Sequence, residues 1–319
     1  MSMVGSGTAT FTDPGDYRAS VTGASINLLL TGGGEFKARL TWVKLRHLRL
    51  SRGRENFPRI SFVKLAEDMT LVAFPTSFQP PQIWGGVKLR RGDIVICGLD
   101  AGFHQRTSGA SQWGFISLTP KDLATYGRAL LGVDLVPPPA AQIRRPSSVA
   151  AAQLLRLHAQ ACRLAETKPS LIPHREVARA VEQDLIPALF NCLTTADAYA
   201  SADAWQRRAS IMGRFESVLE AHCETQLDTS ELCAAIDVPE RTLRMYCAMS
   251  LGMSPGSYVR LRRLNLARAK LQRAEPATGS VAEIARQFGF TELGRFAAAY
   301  RGVFGETPST TLRGSSKVS

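Results

Sequence analysis

Asp228-Thr-Ser-Glu-Leu-Cys-Ala-Ala-Ile-Asp-Val-Pro-Glu-Arg-Thr-Leu243 and, 52 residues further on, Ser280-Val-Ala-Glu-Ile-Ala-Arg-Gln-Phe-Gly-Phe290 are two copies of one pattern. Each opens with a capping box, in which a side-chain oxygen accepts from a free backbone N–H while the Glu three residues on reaches back. Each continues through an apolar pair, Leu232-Cys233 and Ile284-Ala285, into a turn, Ile236-Asp237-Val238 and Phe288-Gly289-Phe290. The offset then widens to 53, matching Leu243 with Phe296, Gly252 with Gly305 and Pro255 with Pro308. A short helix, a tight turn, a second helix and a stop make one helix-turn-helix, and the chain repeats it. Between the copies, Ser257 to Arg273 reads as one long helix carrying Arg260, Arg262, Arg263 and Arg268. At 1.5 Å per residue such a rod is about 25 Å long. It would set two recognition helices about one DNA turn apart, so that one chain enters two successive major-groove segments.

Ahead of this repeat the chain changes character. Up to about residue 120 it reads as strands: Ala38 to Leu50 (with a slip of phase near Val43 to Leu45 that predicts a bulge), Arg59 to Leu65, Met69 to Phe74, Asp93 to Cys97 and Trp113 to Leu118. Turn chemistry separates them at Gly32-Gly-Gly34, Pro80-Pro81, Gly85-Gly86, Arg91-Gly-Asp93 and Ser108-Gly109. Many short strands with regular turns predict a β-sandwich or small barrel. Pro137-Pro-Pro139 and Arg144-Arg-Pro-Ser-Ser148 read as a stiff connector. Two amphipathic helices follow, from about Ser148 to Glu166 (Leu154, Leu157, Ala161, Leu164) and from about Arg175 to Leu193 (Val177, Val181, Leu185, Leu189). The expected fold is α+β and multidomain: residues 1–140 a β-rich effector-binding unit, 141–204 linker or dimerisation helices, and 205–319 an all-α DNA-binding domain.

With 319 residues, 45% apolar and 21% charged, the chain has room for about two globular domains. No apolar stretch approaches the roughly 18 residues that cross a bilayer, so no membrane partner is expected. The opening Met1-Ser-Met-Val-Gly-Ser-Gly7 lacks a basic and then apolar leader, so a cytoplasmic, nucleoid-associated protein is expected. The cysteines at 97, 162, 192, 223, 233 and 247 form no C-x-x-C pair and read as buried reduced thiols. A net charge of +12 suits a polyanion. From residue 205 on there are 16 Lys/Arg against 11 Asp/Glu, a net of +5, and the remainder has 23 against 16, a net of +7. The motifs, not the charge, single out the C-terminal part.

Several spaced signatures within roughly residues 205–313 agree in order: Val238-Pro-Glu-Arg-Thr-Leu243, Gly252-Met-Ser-Pro255, Arg262-Arg-Leu-Asn-Leu-Ala-Arg268, Ile284-Ala-Arg-Gln-Phe-Gly-Phe290, Gly294-Arg-Phe296, Tyr300-Arg301 and Phe304-Gly-Glu-Thr-Pro308. In these the chain resembles the AraC/XylS regulators. The strand rhythm, the Arg91-Gly-Asp93 turn and the domain order resemble the cupin-like effector and dimerisation domain of one branch of that family. The resemblance implies a ligand-responsive transcription regulator, most simply an activator. Its implied partners are double-stranded promoter DNA, a small organic effector, a second copy of the chain and RNA polymerase.

With Leu243 and Cys247 turned to the core, Arg241, Arg244 and Met245 of the first recognition helix face outward, and Thr242 lies beside them. An Arg fork suits guanine O6 and N7, so Arg241 and Arg244 are the expected base readers, and the resemblance puts the family's base-contacting positions on the outward three. In the second unit Thr291, Glu292, Leu293, Arg295, Ala298 and Arg301 are the expected contacts. The positions matching Arg244 and Met245 are Ala297 and Ala298, and Gly294 stands where the family more often has serine. The second unit is therefore expected to position the duplex through phosphates, with Arg295 and Arg301, more than to read bases.

In the β-rich part the aromatic residues are the main resource, and Trp42, His47, Trp84 and Trp113 are the expected effector neighbours. His47, His104, His158, His174 and His222 are scattered with no close pair, so no metal and no cofactor is expected. No phosphate-cradling glycine loop and no Cys/His arrangement with a recognisable local signature appears, and an enzyme is not expected. Two readings stand beside the leading one. One is a regulator without a small-molecule effector, controlled by a protein partner or by abundance; the other is a cupin-type enzyme or thiol-transferring repair protein fused to a DNA module.

Overall fold

The computed structural model describes residues 4–65, 69–78, 80–98, 102–195, 197–198, 202–222, 227–275 and 279–314. The β-rich part runs β1 (Gly5–Phe11), α1 (Pro14–Ser20), β2 (Ala24–Leu30), β3 (Ala38–Lys44), β4 (Arg49–Glu55), β5 (Arg59–Leu65) and β6 (Thr70–Pro75). It continues with β7 (Ile83–Trp84), β8 (Val87–Lys88), β9 (Ile94–Cys97), β10 (Gly102–Thr107) and β11 (Ser111–Leu118). Then come α2 (Pro120–Leu131), β12 (Gln142–Arg145), α3 (Ser148–Thr167), α4 (Arg175–Thr194) and β13 (Asp197–Ala198). The C-terminal helices are α5 (Ala202–Ala221), α6 (Thr229–Ile236), α7 (Glu240–Leu251), α8 (Pro255–Arg273), α9 (Val281–Gln287), α10 (Leu293–Phe304) and α11 (Pro308–Gly314).

The strands form two antiparallel sheets, ordered β1-β3-β4-β11-β6-β9-β12-β13 and β2-β5-β10-β7-β8. The sheets face each other, and among the described residues no strand pairing closes them into a barrel. Alternation explains the layers. On β2 and β5, Leu28 and Val63 turn toward the large sheet, whereas Leu29 and Ile60 join Phe215, Leu243 and Tyr258 of the C-terminal helices. The small sheet is thus covered on both sides, by the large sheet and by the C-terminal helices. The far face of the large sheet, with Val43, Leu50, Val72, Ile96 and Ile116, is covered by α2, α3 and α4.

Four local expectations change. The run 38–50 is not one bulged strand: β3 and β4 pair as a hairpin, Trp42 opposite Ser51, and Leu45 N–H donates to Leu48 O at 2.9 Å across the turn. The slip of phase marked that turn. Helix α2 was hidden between the strands and the prolines, although Thr119-Pro120-Lys-Asp122 is a helix start; the Thr119 hydroxyl accepts from Asp122 N–H. The connector is ordered in part, because Gln142 to Arg144 pair with β9. The stripes on α3 and α4 serve the chain's own core: Leu154, Ala161, Leu185 and Leu189 are buried against the large sheet. Any dimer through these helices has to use their other faces.

His158 of α3 is fully buried, its Nε2–H donating to Ser51 O at 3.2 Å and its ring edge-on to Phe74. Burial holds its pKa down at about 4, against 6.5 in the open. The unfolded chain therefore takes up a proton first as the pH falls. The stabilisation is whole above pH 6.5 and drains between 6.5 and about 4, by roughly 3 kcal/mol at about 1.36 kcal/mol per unit. Urea unfolding of His158→Gln from pH 7 to 4 should show a correspondingly shallower loss than wild type; equal slopes would discard this account.

Candidate nucleic-acid interface

The first unit is built from α6 and α7. Its capping box is complete: Asp228 accepts from Glu231 N–H and Glu231 from Asp228 N–H, each at 2.8 Å. Asp237 ends α6 at φ 51°, a left-handed conformation that Asp tolerates better than most side chains. Val238 N–H donates back to Cys233 O there, closing the tight turn. The second unit has Gly289 at the matching position, at φ 78°. In its cap only the Ser280 hydroxyl bond to Glu283 N–H is seen, so its box is half made.

Helix α7 buries Leu243, Cys247 and Leu251. Arg241 and Arg244 are exposed, Met245 is 50% exposed, and Thr242 is half-buried beside them. The Arg244 guanidinium rests on Glu240, Nε to Oε1 at 2.7 Å. An exposed pair of this kind is weak and gives way to a better acceptor. Helix α10 buries Phe296, Tyr300 and Phe304, with Tyr300 hydroxyl 2.8 Å from Thr311 Oγ1. Thr291, Glu292, Leu293, Arg295, Ala298 and Arg301 are exposed, while Ala297 is half-buried. Arg295 pairs with Glu292 at 2.8 Å. Each helix thus lays one apolar stripe inward and carries its remaining face to solvent, and the exposed faces differ in arginine content.

The rod α8 starts on a Ser254 cap and buries Tyr258, Leu261, Leu264, Ala267 and Leu271. It also meets the small sheet. Asn265 holds edge strand β2 by its amide, accepting from Leu30 N–H at 2.9 Å and donating to Leu30 O at 3.2 Å. Arg208 of α5 donates to Gly85 O at 2.7 Å, and Trp205 lies against Gly85. At the centre of the contact is Glu216 of α5, with no exposed surface. It accepts from His104 of β10 at 2.8 Å, from Tyr258 hydroxyl at 2.5 Å and from Arg262 at 2.7 Å. A carboxylate only accepts, so His104 carries its hydrogen on Nε2. Burial pushes the Glu216 pKa up, but the His104 and Tyr258 hydrogen bonds and the charges of His104 and Arg262 hold it below the ordinary carboxylate value. Sequence reasoning passed over this network because Glu216 lies more than forty residues from each of its partners, with no shared motif.

The four expected effector residues are not brought together. Trp42 is 38% exposed and covers Gly5 and Gly7 of the edge strand β1. His47 sits between α2 and α4, its Nδ1 2.9 Å from Asp122 and its N–H donating to Glu182 at 2.6 Å. Trp84 is core, tilted on Phe103 at 5.6 Å and donating to Gln82. Trp113 is buried between the sheets, stacked on Phe115 at 4.2 Å and donating to Glu55 at 2.9 Å. Glu55 also accepts from Tyr17, Ser111 and Arg59, and it borders a cleft of about 590 Å³ at the open end of the large sheet. Phe11, Lys37, Arg39, Asn56 and Gln112 share that cleft. The alternation of the strands concealed it, since its walls come from the ends of four strands.

Burial pushes the Cys162, Cys192 and Cys247 thiols up to about 12 and Cys97 higher still, so these sulfurs are poor nucleophiles. Cys223 lies outside the described residues. No helix of the described residues is long and apolar enough to cross a membrane.

Residues 232–314 match a family model described as a helix-turn-helix domain. The chain is 39% identical over 95 residues to a probable thc operon regulatory protein of Rhodococcus erythropolis. It is 35% identical over 100 residues to a XylDLEGF operon transcriptional activator of Pseudomonas putida. These alignments take in 30% and 31% of this chain, and only 29% and 31% of the two relatives. The solved structure of a probable AraC family transcriptional regulator from Rhodopseudomonas palustris CGA009 matches 33% of this chain and 97% of its own, at 31% identity and a TM-score of 0.31.

Proposed function

Since the chain belongs, through its C-terminal domain, to the AraC/XylS family of helix-turn-helix regulators, we propose that it recognises promoter DNA with α7 and α10 in successive major-groove segments and regulates transcription there. The observation that carries this is the pair of amphipathic second helices, one presenting Arg241, Arg244 and Met245 over a buried Leu243, the other presenting Thr291 to Arg295, Ala298 and Arg301 over a buried Phe296. Arg241 and Arg244 read bases; Arg295 and Arg301 hold phosphates. Selection from a random duplex library with the full chain tests it. Two elements about 10 bp apart should be recovered, the one under α7 more sharply defined. Recovery of no common element would end the proposal.

The finer part is control by an effector. The cleft bordered by Glu55 is concave and joins an aromatic side chain to polar and cationic groups, which suits a small organic molecule. A ligand there controls DNA binding only if it favours one placement of the small sheet against the C-terminal helices. A dimer through the outer faces of α3 and α4, and contact with RNA polymerase, complete the reading. A thermal-shift screen with small metabolites, repeated on Glu55→Gln, separates an effector-controlled regulator from one governed by a protein partner.

A further inference from the structure

A cleft of about 520 Å³ lies between the two helix-turn-helix units, floored by α8 and walled by the first turns of α6 and α10. Its cations exceed its acids. Arg260 and Arg263, three residues apart on one face of α8, both line it, and among the described residues neither has a carboxylate in ion-pair range. The acids at its walls are already engaged, Asp228 by its own capping box and Glu292 by Arg295. Arg263 is half-buried, and burial lowers its pKa with no acid to offset the loss of water. Thr229 and Thr291 add neutral hydroxyls on the two walls.

We propose that this cleft seats the DNA backbone between the two half-sites, with Arg260 and Arg263 neutralising phosphates that neither recognition helix reaches. The geometry leaves little choice of occupant. A duplex held in two major-groove segments, one by α7 and one by α10, carries the intervening backbone past whatever stands between them. Phosphate is the group whose charge matches two arginines without acids. The bridging helix is then part of the reader rather than a spacer: it adds sequence-independent affinity and requires both half-sites on one face of the duplex. The proposal rests on the reading of α7 and α10 as the two readers.

The test uses the full chain, a labelled duplex recovered by selection on the wild type, and the double variant Arg260→Ala/Arg263→Ala. Both arginines lie at the surface of a helix, so the fold should persist, and circular dichroism melting checks it. The slope of log affinity against log salt should fall by about 1.8, at roughly 0.9 per phosphate. Affinity should drop by the same factor for matched and scrambled duplexes. Phosphate ethylation between the half-sites should block binding of the wild type and have no effect on the variant. An unchanged salt slope with unchanged interference overturns the cleft as a phosphate seat, as does a variant whose base preference shifts. If instead the wild type selects no sequence at all, it is the underlying DNA-recognition reading that has failed.

Discussion

Glu216→Ala is expected to lower the melting temperature of the full chain by on the order of 10 °C. The carboxylate is buried and accepts from three donors on two other elements, His104 on β10 and Tyr258 and Arg262 on α8. Removing it strands a guanidinium, a phenol and an imidazole in a dry contact. Breaking a buried pair from one side costs about 3–5 kcal/mol, and each kcal/mol shifts a chain of this size by about 2–4 °C. The loss falls on the seam between the small sheet and the C-terminal helices, which is where an effector signal would have to pass. Effector-independent DNA binding should therefore accompany the lower melting point. Glu292→Gln serves as the control, an exposed change that should stay within about 0.5 kcal/mol. Acidification reports on the same group. A depressed folded pKa means the stabilisation is present above the ordinary carboxylate value and is lost as pH falls through the lower, folded one. Wild type should thus lose stability in acid that Glu216→Ala no longer has to lose. If the variant melts within 1–2 °C of wild type, the network holds nothing together.

The second large effect concerns Arg241 and Arg244. A bidentate arginine–guanine contact is worth about 1–3 kcal/mol of discrimination. Replacing both by alanine should weaken the selected site on the order of 10²- to 10³-fold, while binding to random duplex falls far less. Sequence selection on Arg244→Ala should blur one half-site. Arg301→Ala should weaken all duplexes alike and flatten the salt dependence by about one phosphate. Should both single variants relax the same base positions equally, the division into a reading unit and a positioning unit is wrong. The half-buried place of Ala297 sharpens the contrast, since the residue matching Arg244 in the second unit leaves α10 no side chain there that reaches a base edge.

The C-terminal helices could be read almost to the residue, because their causes are local. Caps, helical periodicity and the glycines at 252, 289 and 305 with positive φ act over four residues or fewer, and the duplication at an offset of 52 or 53 supplied a second reading of each. The exposed faces of α7 and α10 followed from the same periodicity. The β-rich part was legible as strands, but their partners were not. Nothing in the sequence of β2 tells that it lies beside β5, or that Leu28 and Leu29 face different layers. The four aromatic and histidine positions scattered for that reason: strand alternation gives a face, and only pairing and packing give the direction of that face. The meeting of His104, Glu216, Tyr258 and Arg262, and the cleft between the two readers, arise from residues distant along the chain. Local chemistry settled the helices proposed to touch DNA; long-range packing alone chose what they lean on.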